Sequence, residues 1–131
     1  MVCIDSDVLI DILRNHTPSQ RLLESFEDQG TVLLTTSINS FEVLRGVSLH
    51  SSPEKYERVS EFLSSFNSLV FDFTASKKAA EISQQLTSQG VIIDIGDIMI
   101  AAICISRGES LLTRNVKHFE KIPGLKLEPL A

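Results

Sequence analysis

The sequence has no tryptophan and only one tyrosine beside seven phenylalanines. No aromatic platform for stacking bases is evident, so any nucleic acid has to be read by other contacts. Cysteine is equally sparse. Cys3 and Cys104 lie inside the apolar runs VCI and AAICI, where cysteine behaves as a small buried hydrophobe, so two free thiols in a reducing, cytoplasmic compartment are expected. Six glycines and four prolines exclude collagen-like and low-complexity chains. No apolar run approaches the ~18 residues of a membrane span, and acidic Asp5 stands where a secretory leader requires a basic start. Basic residues are outnumbered 12 to 17, for a net charge of −5. A generally basic coat for nucleic acid is thereby excluded, and any such contact must be local. His16, His50 and His118 are scattered, no His/Cys spacing suits zinc, and there is no glycine-rich phosphate loop.

What remains is a foldable chain: 131 residues, 43% apolar and 22% charged, the size of one domain over residues 1–131. Residues 2–5 form a short apolar run that stops at an acid, and Val8, Leu9, Ile12 and Leu13 then recur at helical spacing. A helix over 20–28 ends near Gly30, and TVLLT (31–35) reads as a second buried strand. Ser37 or Ser40 caps the next helix, and Ser52-Pro53-Glu54 opens another with Val59, Phe62, Leu63 and Phe66 on one face. LVFDF (69–73) is a third strand, with Thr74 as N-cap of the helix that follows. IMIAAICI (98–105), opened by Asp97, is apolar on every side and therefore a fully buried helix. SLLT (110–113), a short helix over 116–121 and a fifth strand over 125–127 complete the pattern. This alternation predicts an α/β fold, a mostly parallel sheet with helices on both faces. In such sheets the ligand site lies beyond the carboxyl ends of the strands, near the switch in strand order.

Asp5, Glu42, Asp94, Asp97 and Asn115 all fall at that edge. Chain-remote carboxylates brought together repel one another unless protons or hard cations occupy the site. Oxygen-only ligands favour Mg2+ or Mn2+ over zinc, and paired ions of this kind support phosphodiester cleavage. Each residue also has an ordinary structural reading. Asp5 reads as a helix cap, Glu42 as a helical ion pair with Arg45, Asp94 and Asp97 as acids favoured by the helix dipole, and Asn115 as a turn residue. Asp97 resists this most, because an unpartnered carboxylate beside an all-apolar helix is costly. Asp7, Asp11 and Asp72 read as solvated or capping acids, while Ser6 and Thr113 stand where they can orient a carboxylate.

The segments IDSDVLIDIL, TSINSFEVLRG, IGDIMIAAI and LLTRNVKHFEKIPGL, in this order and spanning nearly the whole chain, resemble the PIN-domain family, and within it the VapC-type toxins. The resemblance implies a three-layer α/β/α fold with a five-stranded sheet, metal-dependent ribonuclease activity, a homodimer and a VapB-like antitoxin partner. By position, Asp5, Glu42 and Asp97 match the family's catalytic acids. Asp94 matches a variable position, and Asn115 stands where many relatives carry Asp, a departure that weakens a second metal site.

Without Asp5, Glu42, Asp94 and Asp97 the net charge changes from −5 to −1, a surface RNA can approach. Arg14, Arg45, Arg114 and Lys117 are the candidate phosphate contacts. The apolar positions on the 20–28 helix and the 52–66 segment are expected to be covered by a second copy or an antitoxin segment. Two other classes compete. Asp5-Ser6-Asp7-Val8 copies the nucleophile loop of haloacid-dehalogenase-type phosphatases, and a PIN fold or receiver-like domain without a working site acts only by binding.

Overall fold

The computed structural model describes residues 1–130, with residues 48–50 described by backbone alone, so the His50 ring lies outside the described residues. Period-2 alternation in very short strands decides the layering. In β1 (Val2–Ile4), Val2 and Ile4 point into one core and Cys3 into the other. In β4 (Ser110–Leu112), Leu111 and Leu112 divide in the same way. β2 (Leu33–Thr36) and β3 (Asn67–Leu69) complete a four-stranded sheet of order β3-β2-β1-β4, parallel throughout.

On the Val2 and Ile4 side pack α1 (Ser6–Leu13), α2 (Thr17–Asp28), α3 (Ser37–His50) and α4 (Pro53–Ser64), through Val8, Leu9, Phe26, Val43, Val59 and Leu63. On the Cys3 side lie α5 (Phe73–Ser88), α6 (Ile95–Arg107) and α7 (Val116–Phe119), through Ile82, Leu86, Ile100, Ala101 and Phe119. This is the expected α/β/α sandwich. α6 is buried over most of the predicted run, with Ile100, Ala101, Ala102, Ile103 and Cys104 all inaccessible to solvent, while Met99 and Ile105 are only half-buried. Cys3 and Cys104 are free thiols facing each other across the sheet–helix interface, and the contact with Cys104, followed by burial, raises the Cys3 thiol far above its ordinary range.

Several boundaries differ from the sequence expectation, among them α2, which starts at Thr17 rather than Gln20, β2, shifted to Leu33–Thr36, and α7, which ends at Phe119. The fifth strand is a single parallel bridge, Leu111 to Leu127. Only Leu111 N–H to Lys126 C=O and Glu128 N–H to Leu111 C=O are made before Pro129, which has no N–H to continue a ladder. β3 ends at Leu69 because Asp72 turns away to cap α5, accepting from Ala75 N–H at 2.9 Å, and so replaces Thr74 as N-cap. Thr36, rather than Ser37 or Ser40, caps α3 by accepting from Asn39 N–H. α6 begins at Ile95, with Asp94 at its N-cap and Asp97 inside the first turn.

Strand order reverses at β1. The chain proceeds from β1 outward to β2 and β3, then returns to place β4 on the other side of β1. The crevice beyond the carboxyl ends of β1 and β4 is thus the switch point, and Asp5 and Thr113 are the first residues past those two strands.

Candidate active site

Asp5 leaves β1 in extended conformation and is 6% exposed. A carboxylate at such depth must be hydrogen-bonded, and it is. Thr113 Oγ1 donates to Asp5 Oδ2 at 2.6 Å, and Asn39 Nδ2 donates to Asp5 Oδ1 at 2.8 Å. Burial nevertheless dominates, pushing the Asp5 carboxyl up to about 6, with the charge of Asp7 adding to the rise and the Thr113 and Asn39 bonds opposing it.

Asn39 is fully buried and is fixed through the α3 cap, where Thr36 Oγ1 donates to Asn39 Oδ1 at 2.7 Å. Its amide also donates to Ser6 Oγ at 2.8 Å, and Ser6 in turn donates to Glu42 Oε1 at 2.7 Å. Asn39 and Glu42 stand three apart on α3 and share a face, so one helix supplies both an anchor for Asp5 and a second carboxylate. The other oxygen of Glu42 lies against α6, where a Cβ added to Gly96 would sit 3.4 Å from Oε2. Asp97 follows immediately. Half-buried, its carboxyl is raised above the ordinary range by desolvation first and then by the charges of Glu42 and Asp94; His118 counteracts, and Asp7 adds to the rise. Acids from β1, α1, α3 and α6 therefore act on one another, the mutual repulsion expected of a site built for a cation.

The remaining candidates are placed less uniformly. Asp94 is exposed at the α6 N-cap and its side chain makes no cap bond. Asn115 sits at the start of α7, with its N–H donating to Thr113 Oγ1 at 3.0 Å and its amide 2.9 Å from His118 Nδ1, which is itself 3.9 Å from Asp97 Oδ2. Arg114 and Lys117 are exposed beside it. Arg45 stacks over the Phe41 ring, 5.7 Å from its centroid, one turn beyond Glu42. Arg14 caps the far end of α1, about 14 Å along the helix from Asp5, and is not brought to the cluster. Among the described residues no three His, Cys, Asp or Glu side chains converge closely enough to form a coordination shell as they stand.

Residues 2–125 match the PIN domain family. The chain belongs to the PIN-domain family. Among curated relatives, the tRNA(fMet)-specific endonuclease VapC of Salmonella typhimurium is 29% identical over 126 residues, covering 95% of this chain and 94% of that protein. Ribonuclease VapC19 of Mycobacterium tuberculosis is 31% identical, covering 96% and 98%. The solved VapBC2 of Rickettsia felis, bound to a DNA fragment, superposes with a TM-score of 0.88 at 26% identity over 98% of both chains. The DNA-bound VapBC of Salmonella typhimurium gives 0.88 at 28% over the whole of both. Neither the phosphatase nor the receiver-like alternative gains support from this VapC-type PIN fold.

Sequence reasoning about this PIN domain missed three residues. Asn39 carries the link between Asp5 and Ser6, and its signal was its place one helical turn before Glu42. Asp7 is not a solvated acid: it accepts from Arg114 N–H at 3.0 Å and weakly from Thr113 at 3.4 Å, and its Oδ1 is buried with no hydrogen-bond partner among the described residues. Asp11 pairs with Arg114 Nε at 3.0 Å and is 14% exposed. Ser6 and Thr113 orient carboxylates as anticipated.

Proposed function

We propose that this VapC-type PIN domain is a divalent-metal-dependent endoribonuclease and the toxin of a VapBC-type pair, with Asp5, Glu42 and Asp97 as its catalytic acids. The observation that carries this is Asp5 at the β1–β4 switch point, held by Thr113 and linked to Glu42 through Asn39 and Ser6, with the charge of Glu42 acting on Asp97 of α6.

The donor set fits a hard cation. It is all oxygen, two of its carboxyls are raised by burial and mutual repulsion, and the buried Oδ1 of Asp7 has no partner. Asp5, Glu42 and Asp97 would hold Mg2+ or Mn2+, with Asp94 and the Asn115 amide completing the shell. A bound ion supplies Lewis acidity toward the scissile phosphate and lowers the barrier to attack by water. The chain's own residues prepare that chemistry. Thr113 and Asn39 keep Asp5 ionised against its burial, Ser6 fixes the Glu42 rotamer, and packing against Gly96 holds Glu42 beside Asp97. Arg45, Arg114 and Lys117 are the phosphate contacts nearest the acids, and Arg14 serves only an RNA long enough to pass the far end of α1.

Two apolar features support partners in the cytoplasm. A groove of about 320 Å3 between α2 and α4, lined by Leu23, Val32, Phe62 and Phe66, suits a helix of a VapB-like antitoxin. Phe73 and Ile95 are each 78% exposed and Ile92 is 95% exposed, apolar side chains at or just before the starts of α5 and α6 suited to contacts with a second copy in a homodimer.

The test is incubation of the purified protein with unfractionated tRNA and with ribosomal RNA in EDTA, Mg2+ or Mn2+. Discrete fragments that require the cation are expected, with tRNA tried first because the Salmonella relative is named for it. Release of phosphate from monoesters without cutting of RNA would overturn the reading.

A further inference from the structure

We propose that Arg114 is a phosphate clamp for the RNA backbone beside the acid cluster and that Asp11, on α1, is the residue that aims it. This deepens the ribonuclease reading and rests on it. Arg114 directly follows Thr113, the residue that holds Asp5, and its backbone N–H is tied to Asp7 Oδ2 at 3.0 Å. One turn further along the same face of α1, Asp11 Oδ2 lies 3.0 Å from Arg114 Nε. That oxygen accepts no directed hydrogen bond, so charge rather than hydrogen-bond geometry holds the guanidinium there. The other group facing the carboxylate is the exposed His16 ring, 4.0 Å away.

The two partners are unequally buried: Asp11 is 14% exposed and Arg114 55%. A contact through Nε occupies one edge of a group with five N–H donors, and the side chain, 55% exposed, leaves the remainder open to solvent. A guanidinium fixed in this way presents a planar fork to a phosphate with part of its ordering entropy already spent. Asp11 on its own has the wrong sign for an RNA surface, which makes its effect on binding diagnostic.

Binding is measured by fluorescence anisotropy with fluorescein-labelled unfractionated tRNA, using Asp97→Asn protein in Mg2+ so that cutting does not interfere. Arg114→Gln is expected to weaken binding about tenfold, the loss of one charge-assisted phosphate contact, and to reduce the salt slope by about 1. Arg114→Lys should keep the slope and lose part of the affinity. Asp11→Asn should also weaken binding although it removes a negative charge, and in an Arg114→Gln background it should tighten binding or leave it unchanged. Tightening by Asp11→Asn in both backgrounds overturns the proposal. So does an unaltered affinity and slope in Arg114→Gln protein whose melting temperature has fallen, which would reduce the pair to a tether between α1 and the turn after β4. Absence of tRNA binding in the Asp97→Asn protein, together with absence of cutting in the wild type, would instead remove the ribonuclease reading and the clamp with it.

Discussion

Asp5 is where the site's electrostatic strain is concentrated. Its carboxyl is raised to about 6 in the folded protein, against about 4 in an unfolded chain, so the folded state binds more protons between those values. Stability without metal is therefore expected to fall as pH rises from about 4 to about 6 and then to level, by roughly 3 kcal/mol at most. Asp5→Asn removes this dependence, because a neutral amide can accept from Asn39 and donate to Thr113. The variant should melt higher than wild type at pH 7 and should have lost cleavage, as thermal melts across pH beside an RNA assay would show. A variant no more stable than wild type at neutral pH would mean that the surroundings, not burial, decide the Asp5 charge. Asp97 stood out in the sequence because it adjoins an all-apolar helix where a lone acid is costly, whereas Asp5 and Glu42 were singled out only by their place at the strand-end edge and by the resemblance to the PIN-domain family. Asp7 and Asp11 were not. Their spacing on α1 resembles a solvated face, and the groups that define them, Thr113 and Arg114, lie about a hundred residues away with no local signature.

At the scale of elements, α6 has two ends with different work. Within its 13 residues, Asp97 at the site stands about 15 Å from Arg107, which pairs with the α5 cap Asp72 at 3.5 Å. Asp72→Ala should cost about 1 kcal/mol through the lost cap and leave the rate of RNA cleavage unchanged; a loss of rate at constant stability would show coupling along the helix. Near the other end, Gly96→Ala gains up to about 1 kcal/mol of helix propensity, and its new Cβ meets Glu42 Oε2 at ordinary contact distance. Melting should rise with cleavage largely kept, whereas Gly96→Leu should displace Glu42 and abolish cleavage at little cost in stability. Equal activity of the two variants would show that the Glu42 position is not held by α6. The caps themselves were only partly readable. A run such as Thr36, Ser37 and Ser40 offers several oxygens to one helix start, and only the pairing of β2 with β3, Thr36 opposite Leu69, decides that Thr36 is the last residue of the strand.

Across the whole molecule, the layers followed from periodicity because strands of three or four residues still divide their side chains between two cores. The fifth strand failed because periodicity is silent about how many ladder bonds fit before a proline. The site belongs to this largest scale, since it exists only when β1, α3, α6 and the end of β4 meet. The property proposed for it is an acid cluster that would exchange protons for a divalent cation. Calorimetric titration of Mn2+ into the metal-free protein at pH 6, repeated in two buffers of different ionisation enthalpy, measures that exchange directly. The wild type should bind Mn2+ with release of about half a proton or more, since Asp5 is then about half protonated. Asp5→Asn should release fewer protons and bind more weakly. Wild-type binding without proton release, or binding unaffected by Asp5→Asn, would contradict the assignment of these acids as the metal site.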